Sequence, residues 1–283
     1  MEKIGLLIDS TSYTRKELYK YDFIKAAYLK VIIDQKEYLE SQLSKEEMEK
    51  VLDENHKLLT SQPAPMDFYN LYKEYESEGY THVLVVVLSE KISGTYQSAL
   101  IAKTMLEETS LEISIHSPQA ASFSVANGLT VLADEIKLKK SFKDVLDLYY
   151  KLFKEPLVSF TLSDLKHLFK GGRLNRIQAL IGTVLRIKPI IQMIDGKLDL
   201  VKKTRTHGAC LEFFYEKIDY YCEKYENVYL DVIDLNMEEF SAKIVDYAKS
   251  KNKIIKIVQT KYVSPVFYVH LGNSGYGIGI VAY

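Results

Sequence analysis

Short apolar runs alternate with amphipathic segments through the first half of the chain. The runs IGLLID, VLVVVL and EISIHS are each followed by turn residues, as buried strands are. The segments between and after them place apolar residues at helical spacing, and Ser44 with Glu47 forms a capping box at the start of SKEEMEKVLDE. This alternation predicts βαβ units built around a parallel sheet.

The pattern changes in the second half, which opens with PLVSFTLSDL. The segment IIQMIDGKLDLVKKTRT predicts a hairpin with Asp195-Gly196 at a type I′ turn. The other predicted elements are an apolar helix in FKGGRLNRIQALIGTVLRIKP, helices in CLEFFYEKIDYYCEKY and EEFSAKIVDYAKSK, and strands in NVYLDVIDL, IIKIVQT, VFYVHLG and YGIGIVAY. We therefore expect an α/β protein of two lobes with a boundary near Lys154 to Pro156. Lobe one, about 1–155, is parallel α/β, and lobe two, about 156–283, is α+β with a mixed or antiparallel sheet.

Hydroxyl-bearing and acidic residues follow the predicted parallel strands. Ligands of open parallel sheets bind beyond the carboxyl ends of the strands, so these residues are expected along one crevice: Asp9, Ser10, Thr11, Ser93 and Ser117. The turn ISGT leads into a helix whose first amides suit an anion, either a phosphate, a catalytic oxyanion or a carboxylate. The simpler interpretation is that Ser93 is an N-cap.

Composition narrows the class of protein. The 283 residues are 47% hydrophobic and 27% charged, no basic leader with an apolar core opens the chain, and no apolar stretch reaches the ~20 residues of a membrane helix. We therefore expect a cytoplasmic globular protein. Only two cysteines occur, Cys210 and Cys222, without His or Cys at ligand spacing, so neither a disulfide nor a metal site is predicted.

Charge is distributed unevenly although the formal net charge is only −1. Between Lys166 and Arg205 there are ten Lys or Arg residues and only two Asp. Such an excess suits an acidic partner, a nucleotide-binding subunit or an anionic lipid, although a solvated charged face is the commoner explanation. No aromatic RNA-binding signature accompanies it, and no nucleic acid partner is predicted.

Several motifs occur together along the chain: LLIDSTSYT, VIIDQKEYLE, TSQPAP, SEKISGTYQSALIAK, LKHLFKGGRLNRIQALIGTVLRIKPII, KTRT and VHLGNSGYGIGIVAY. In sequence, order and spacing they resemble the motifs of the DegV family of bacterial fatty-acid-binding proteins. The resemblance implies a two-lobed fold that encloses one long-chain fatty acid, with no cofactor. It also implies similarity to the binding subunit of fatty acid kinase, whose separate ATP-dependent subunit phosphorylates the bound acid.

The resemblance also implies site residues. The carboxylate would be bound by Thr60 of TSQP and by Ser93 with Gly94 of SGTYQ, and His270 of the tail motif would lie at the same end. Arg205 of KTRT would contact the carboxyl end or the partner. Two hydroxyls and helix-terminal amides can donate to the four acceptor sites of a carboxylate without a buried cation. The chain differs from the family pattern at His116 and from Leu271 to Asn273.

An acyl chain also needs an apolar tunnel. Candidates are drawn from QALIGTVL, from IIQMI and from two phenylalanines near the lobe junction: Ala179, Leu180, Ile181, Val184, Leu185, Ile190, Ile191, Met193, Phe123 and Phe160. Aliphatic residues at helical spacing are also what an ordinary core requires, and both interpretations stay open. Arg173 and Arg176 are costly to bury beside an acyl chain, so we expect them to face outward as a rim for the kinase subunit or, transiently, for anionic membrane.

An enzyme is the rival interpretation. Ser93, His270 and Asp9 supply the residue types of a hydrolase triad. KISGTYQ is not the G-x-S-x-G elbow, however, and no phosphate-binding G-x-x-x-x-G-K-[ST] loop occurs. The sequence therefore favours a non-catalytic carrier, with a serine esterase or a fatty-acid-sensing regulator as alternatives.

Overall fold

Strand β1 (Ile4–Asp9) lies at the heart of the first lobe and is buried along its whole length. The structure is a computed structural model that describes residues 2–12, 16–54, 56–121, 123–174 and 187–283. The other strands of the first lobe are β2 (Ile24–Ala27), β3 (Lys30–Ile33), β4 (Lys36–Leu39), β5 (Leu58–Ser61), β6 (His82–Val86) and β7 (Glu112–His116). Its helices are α1 (Lys45–Asp53), α2 (Pro65–Ser77), α3 (Thr95–Thr104), α4 (Phe123–Lys137) and α5 (Phe142–Leu152), with short 3-10 helices at Lys16–Lys20 and Glu40–Gln42.

These strands form two sheets. Sheet A has the order β2-β1-β6-β7 with every pairing parallel, which confirms the prediction from the alternating pattern. Sheet B, in the order β4-β3-β5, is small and antiparallel. The turn between β3 and β4 is Asp34-Gln35, whose φ angles are 47° and 77°. The capping box at Ser44 and Glu47 is present at the start of α1.

The second lobe is built on one mixed sheet. Its strands are β8 (Leu157–Leu162), β9 (Lys188–Ile194), β10 (Lys197–Thr204), β11 (Val228–Leu235), β12 (Ile254–Thr260) and β13 (Gly275–Ala282). They form sheet C in the order β10-β9-β8-β13-β11-β12. Its helices are α6 (Lys166–Lys170), α7 (His207–Lys224), α8 (Glu238–Lys249) and α9 (Pro265–Leu271). The predicted hairpin is confirmed: β9 and β10 pair antiparallel, and Asp195 and Gly196 have φ angles of 48° and 76°.

One prediction of secondary structure is wrong. The segment VFYVHLG is not a strand, because Pro265–Leu271 forms helix α9. Ser264 is its N-cap residue and Pro265 stands in the first turn, where a missing N–H costs nothing and the fixed φ suits a helix. His270 therefore lies on a helix rather than on a strand, so its side chain points in a different direction from the one that the predicted strand implied.

Sheets A and C are each covered on both faces, so the side chains of their strands alternate between two cores. Leu6 and Ile8 of β1 face a cluster shared with α4, α5, α9 and the inner face of sheet C. Leu7 faces the opposite cluster with α2 and α3. The outer face of sheet C packs on α7 and α8. The described strands up to β7 belong to sheets A and B and those from β8 onward to sheet C, while one continuous core joins the lobes.

Neither membrane spans nor cysteine cross-links are found in the part of the chain that the structure describes. No described helix is both long enough and apolar enough to traverse a bilayer. Cys210 and Cys222 are both free thiols, the first buried and the second half-buried. The described His, Cys, Asp and Glu side chains form no group of three or more that could hold a metal ion.

Candidate functional site

A narrow apolar cavity of about 60 Å³ lies where the two lobes meet. We call it the apolar cavity. Its apolar wall comes from both lobes: Leu29, Leu88, Ile92, Ala121, Val158, Phe160, Leu168, Met193, Leu198, Val266, Phe267 and Leu271. Its polar wall is formed by Thr60, Ser61, Gln62, Ser93, Arg173 and His270. Phe160 and Met193, two of the candidates for a tunnel wall, line this cavity. The cavity is apolar with a small set of hydrogen-bonding groups, as ligand sites are.

Thr60 and His270 form the central polar pair. Thr60 is the penultimate residue of strand β5, and His270 lies in the last turn of α9. Thr60 Oγ1 is 2.9 Å from His270 Nε2. Burial, and then the positive charge of Arg173 nearby, lowers the pKa of His270 to about 4. The imidazole is therefore neutral at pH 7 and carries one N–H.

The surroundings of His270 indicate which of its two ring nitrogens carries the proton. Nδ1 is buried without a hydrogen-bond partner among the described residues and lies against Gly171, whose own N–H donates to His167 O. A buried N–H without an acceptor is rarer than a buried acceptor without a donor, so the proton belongs on Nε2. His270 then donates to Thr60 Oγ1. The Thr60 hydroxyl hydrogen remains available to a ligand.

Ser93 and Gly94 form the second part of the polar wall, before helix α3. Gly94 is the N-cap residue, and Ser93 Oγ accepts the N–H of Thr95 at 3.3 Å. Ser93 Oγ is also 2.9 Å from Thr95 Oγ1, so when Thr95 donates, the Ser93 hydroxyl can donate into the cavity. A Cβ at Gly94 would lie 2.6 Å from Gln62 Nε2, so a side chain there would require Gln62 to move. Ser93 is therefore not the N-cap residue, although it accepts one N–H at the start of α3, and it lines the cavity.

Arg173 corrects the expectation that this residue faces outward. It lies half-buried in the wall of the apolar cavity, and its Nε donates to Ile92 O at 3.3 Å. A further N–H donates to Gly171 O. These carbonyls offset part of the desolvation that lowers the pKa of the guanidinium, and the aliphatic stem suits an apolar wall. Arg176 lies outside the described residues.

Arg205 is exposed between β10 and α7 and is not among the residues that line the apolar cavity. Its predicted contact with the carboxyl end or with a partner stays a prediction.

Of the other tunnel candidates, Ile190 and Ile191 are fully buried in the cores of sheet C and do not line the cavity. Phe123 and the candidates at 179–185 lie outside the described side chains.

The predicted crevice is only partly assembled. Of its members, Ser93 alone lines the apolar cavity among the described residues. Asp9 is fully buried, where desolvation raises its pKa, and it accepts the N–H groups of Thr11 at 2.9 Å and Leu88 at 2.6 Å. Ser117 accepts the N–H of Glu90 at 2.8 Å. These side chains fix the loops that carry Ser93 rather than contacting the cavity.

A hydrolase triad is not formed by the described side chains. His270 Nε2 pairs with Thr60 rather than with Ser93, and the carboxylate of Asp9 is satisfied by the Thr11 and Leu88 segments. A nucleophile, a base and an orienting acid must be linked by hydrogen bonds in that order. The geometry suits binding of an anionic group by hydroxyls rather than nucleophilic attack.

Glu40 was missed by the sequence analysis. Its buried carboxyl accepts the hydroxyls of Ser10, after β1, and Ser264, before α9, and the N–H of Val266 lies 3.5 Å away. Desolvation raises its pKa to about 7, and the negative charge of Asp9 contributes. Ser264 and Val266 lie at the start of α9, so Glu40 anchors this helix, which also carries His270, to the first lobe. The segment KEYLES contains two glutamates, and nothing in its sequence indicates that Glu40 is the buried one.

A family model described as "Uncharacterised protein, DegV family" matches residues 3–283. The chain belongs to the DegV family. A DegV domain-containing protein of Halalkalibacterium halodurans is 30% identical over 280 residues, 98% of each chain. A solved structure described as that of DegV, a fatty acid binding protein from Bacillus subtilis, is 28% identical with a TM-score of 0.87 over all of both chains.

The DegV fold is shared with more distant proteins. A fatty acid binding DegV family protein of Streptococcus agalactiae is 24% identical and superposes with a TM-score of 0.89 over all of both chains. The mixed α/β, two-lobed architecture described above is thus the DegV fold. The expected family and fold class are both confirmed.

Proposed function

We propose that this chain binds one long-chain fatty acid, with the alkyl chain in the apolar cavity and the carboxylate at Thr60 and Ser93. The observation that carries the proposal is the Thr60 hydroxyl, hydrogen-bonded to His270 and lying with Ser93 in the polar wall of an apolar cavity. The Bacillus subtilis relative, described as a fatty acid binding protein, supports it.

The site is selective for an anionic head attached to an apolar tail. Thr60 and Ser93 each offer a hydroxyl hydrogen, and Arg173 adds a positive charge in the same wall. Hydrogen bonds to a charged acceptor are about twice as strong as neutral ones, while each buried methylene adds about 0.8 kcal/mol. The head group therefore fixes orientation, and the tail supplies most of the affinity.

The apolar cavity is smaller than a long alkyl chain. Its volume of about 60 Å³ is well below the ~300–1,000 Å³ usual for ligand pockets. Binding therefore requires its aliphatic walls to move apart. Met193, with its flexible thioether chain, is suited to such repacking.

We further infer that the protein is a non-catalytic subunit that presents the carboxylate to a separate ATP-dependent kinase, which forms the acyl phosphate. The support is the basic character of the chain beside Thr60 and His270, where Lys57, Lys166 and Lys170 are exposed. A positive surface steers an acidic protein partner, or transiently an anionic membrane, toward the carboxyl end.

Mass spectrometry tests the proposal. Under native conditions the purified protein should carry an added mass of one fatty acid per chain, which denaturing conditions release. Protein that arrives without ligand and takes up neither hexadecanoate nor octadecenoate would contradict fatty acid binding. The kinase step is tested with the kinase subunit and ATP, trapping acyl phosphate with hydroxylamine. No hydroxamate from loaded protein and an active kinase would contradict the carrier role.

A further inference from the structure

Buried hydrogen bonds connect Glu40 to the wall of the apolar cavity. Its carboxyl accepts the hydroxyls of Ser10, which follows β1, and Ser264, which precedes α9. Two neighbouring residues, Leu29 and Val266, line the apolar cavity. The N–H of Leu29 donates to Ser10 Oγ at 2.9 Å, and the N–H of Val266 lies 3.5 Å from the Glu40 carboxyl. The packing of this wall therefore depends on the contacts that Glu40 makes.

Glu40 joins the start of α9 to the first lobe. Ser264 is the N-cap residue of α9, but its side chain makes no capping hydrogen bond, and its hydroxyl donates to Glu40. The backbone of Glu40 is fixed as well, because its N–H donates to Leu29 O at 3.1 Å. Helix α9 supplies four residues of the cavity wall: Val266, Phe267, His270 and Leu271. A movement of α9 away from Ser10 would thus open the wall and admit water to the Glu40 carboxyl.

The contacts of Glu40 in the described part of the chain come from hydroxyl and amide donors, not from a cation. The titratable groups found to interact with it there are Asp9, Tyr28 and Tyr262. Burial, and then the charge of Glu40, raises the pKa of both tyrosines, so both stay neutral near pH 7. Asp9 adds a second acid. A buried carboxylate without a cation is costly, and Glu40 therefore favours its protonated form while the wall is closed.

Helix α9 carries two further titratable groups. Burial raises the pKa of Tyr268, which therefore stays neutral as well. His270 lies at the other end of the helix, where it contacts Thr60. Glu40, with Asp9 beside it, is thus the acid at the start of α9 whose ionisation state changes when the wall opens.

Opening of the wall is linked to the release of a proton. In the closed structure the pKa of Glu40 is raised to about 7, and in water it would return toward the 4.5 of an exposed Glu. The closed wall therefore binds this proton more tightly than the open wall. Opening becomes more favourable as the pH rises from about 4.5 to about 7, and the gain is complete above that range.

We propose that Glu40 makes the release of a bound acid pH-dependent: its protonated form keeps the start of α9 against Ser10, and its ionisation favours the brief opening through which the ligand leaves. The inference rests on the proposed function, since the ligand is the fatty acid assigned there, and it adds a control on ligand exchange. Glu40 is a positioning residue, because it acts through Ser264 and Val266 and does not itself line the apolar cavity.

Dissociation rates test this role. The delipidated full-length chain is loaded with the fluorescent fatty acid cis-parinarate and mixed with excess phosphatidylcholine vesicles that contain a nitroxide-labelled lipid as quencher. A transfer rate that is independent of vesicle concentration reports dissociation. The variants are Glu40→Gln, which cannot ionise, and Ser264→Ala, which keeps the carboxyl but removes one of its donors. The matched control is Glu46→Gln, an exposed carboxyl in the first turn of α1.

We expect the dissociation rate of wild type and of Glu46→Gln to rise about ten-fold between pH 6 and pH 8. Glu40→Gln should show no such rise and should release the probe more slowly than wild type at pH 8, whereas a mere loss of packing would speed release at every pH. In Ser264→Ala the rise should move to higher pH, since a carboxylate with fewer donors has a higher pKa. The ligand carboxylate and His270 are common to all four proteins, so their titration cancels in the comparison.

Two results would overturn the role of Glu40 and leave fatty acid binding standing. One is a rise with pH that Glu40→Gln retains, and the other is faster release from Glu40→Gln than from wild type at pH 8. Circular dichroism checks the fold of each variant, and if Glu40→Gln does not fold, an unshifted pH profile in Ser264→Ala overturns the inference. Failure of wild type to bind cis-parinarate or hexadecanoate at any pH would instead contradict the proposed function.

Discussion

The ring of His270 lies directly against the backbone of Gly171, where a Cβ atom would stand 2.4 Å from Nδ1. Gly171 is the C-cap residue of helix α6, and His270 lies in the last turn of helix α9, so the contact fixes how these two helices approach. The ring is held on its other side by Thr60, through the 2.9 Å hydrogen bond. A side chain at position 171 would therefore displace the imidazole from Thr60.

Gly171→Ala should weaken fatty acid binding several-fold while the protein remains folded, because the His270–Thr60 hydrogen bond contributes about 1 kcal/mol. Calorimetric titration with hexadecanoate measures the effect, and circular dichroism checks the fold. The matched control is Gly208→Ala, at which a Cβ would meet nothing closer than 3.9 Å. Equal affinity in the two variants would contradict a binding role for the His270 position.

Replacement of the hydroxyl pair should reduce affinity without disturbing the fold. Ser93→Ala removes one donor to a charged group and should cost roughly 1.5–3 kcal/mol of binding free energy, and Thr60→Val/Ser93→Ala should cost more. The control combines Thr104→Val with Ser77→Ala, two exposed hydroxyls of α3 and α2. Unchanged retention of the acid in the Thr60/Ser93 double variant would place the carboxylate elsewhere. Turnover of an acyl ester that Ser93→Ala abolishes would instead support the esterase.

Fatty acid binding should raise the pKa of His270. In the structure that pKa is lowered to about 4, chiefly by burial, so the ring is neutral across the physiological range. A carboxylate brought to Thr60 adds a negative charge nearby, which favours the imidazolium. Histidine chemical shifts followed by NMR against pH, with and without hexadecanoate, measure the change. His207, which packs on Phe240 behind sheet C, is the internal control and should titrate equally in both samples.

Glu40 should make stability depend on pH. Its folded-state pKa of about 7 lies above the value of 4.5 for an exposed Glu, so the folded protein favours the protonated form. The resulting stabilisation is complete below about pH 4.5 and is lost as the pH rises through 7. Relative to wild type, Glu40→Gln should gain up to about 3 kcal/mol of unfolding free energy between about pH 4.5 and pH 8.

Urea denaturation at several pH values measures this difference. Glu46→Gln, an exposed carboxyl in the first turn of α1, is the control and should show no such trend. The acidic neighbour Asp9 also has a raised pKa and is present in both proteins, so its effect cancels in the comparison. A wild-type-minus-variant difference that does not change with pH would show that Glu40 stays ionised when folded.

The parallel sheet was predictable because local pattern and tertiary environment agree there. Strands β1 and β6 are covered on both faces, and a strand buried on both faces reads as a continuous apolar run. The type I′ hairpin at Asp195-Gly196 was likewise fixed by its two turn residues. The turn Asp34-Gln35 uses the same left-handed conformation without glycine, which is why β3 and β4 gave no such signal.

For helix α9 the hydrophobic pattern gave the wrong prediction, a strand. Apolar residues in VFYVHLG suit either a strand or a helix buried on all sides, and periodicity alone does not separate short runs. The preceding Ser264-Pro265 was the available sign of a helix start. Placement of Arg173 was beyond the sequence, since it depends on Ile92 presenting its carbonyl from the other lobe.

The continuous core between sheets A and C bears on how a bound acid leaves. Leu6 of sheet A, Phe160 of sheet C and Val266 of α9 all belong to it, so swinging the lobes apart would expose buried apolar surface from every layer at once. Escape is instead limited to brief, local openings of the wall, which are rarer the more contacts they break. The packing between the lobes then sets how long a bound acid stays in the cavity, and not only how tightly it binds. A partner that loosens α9 or the segment around Arg173 would control the rate of ligand exchange.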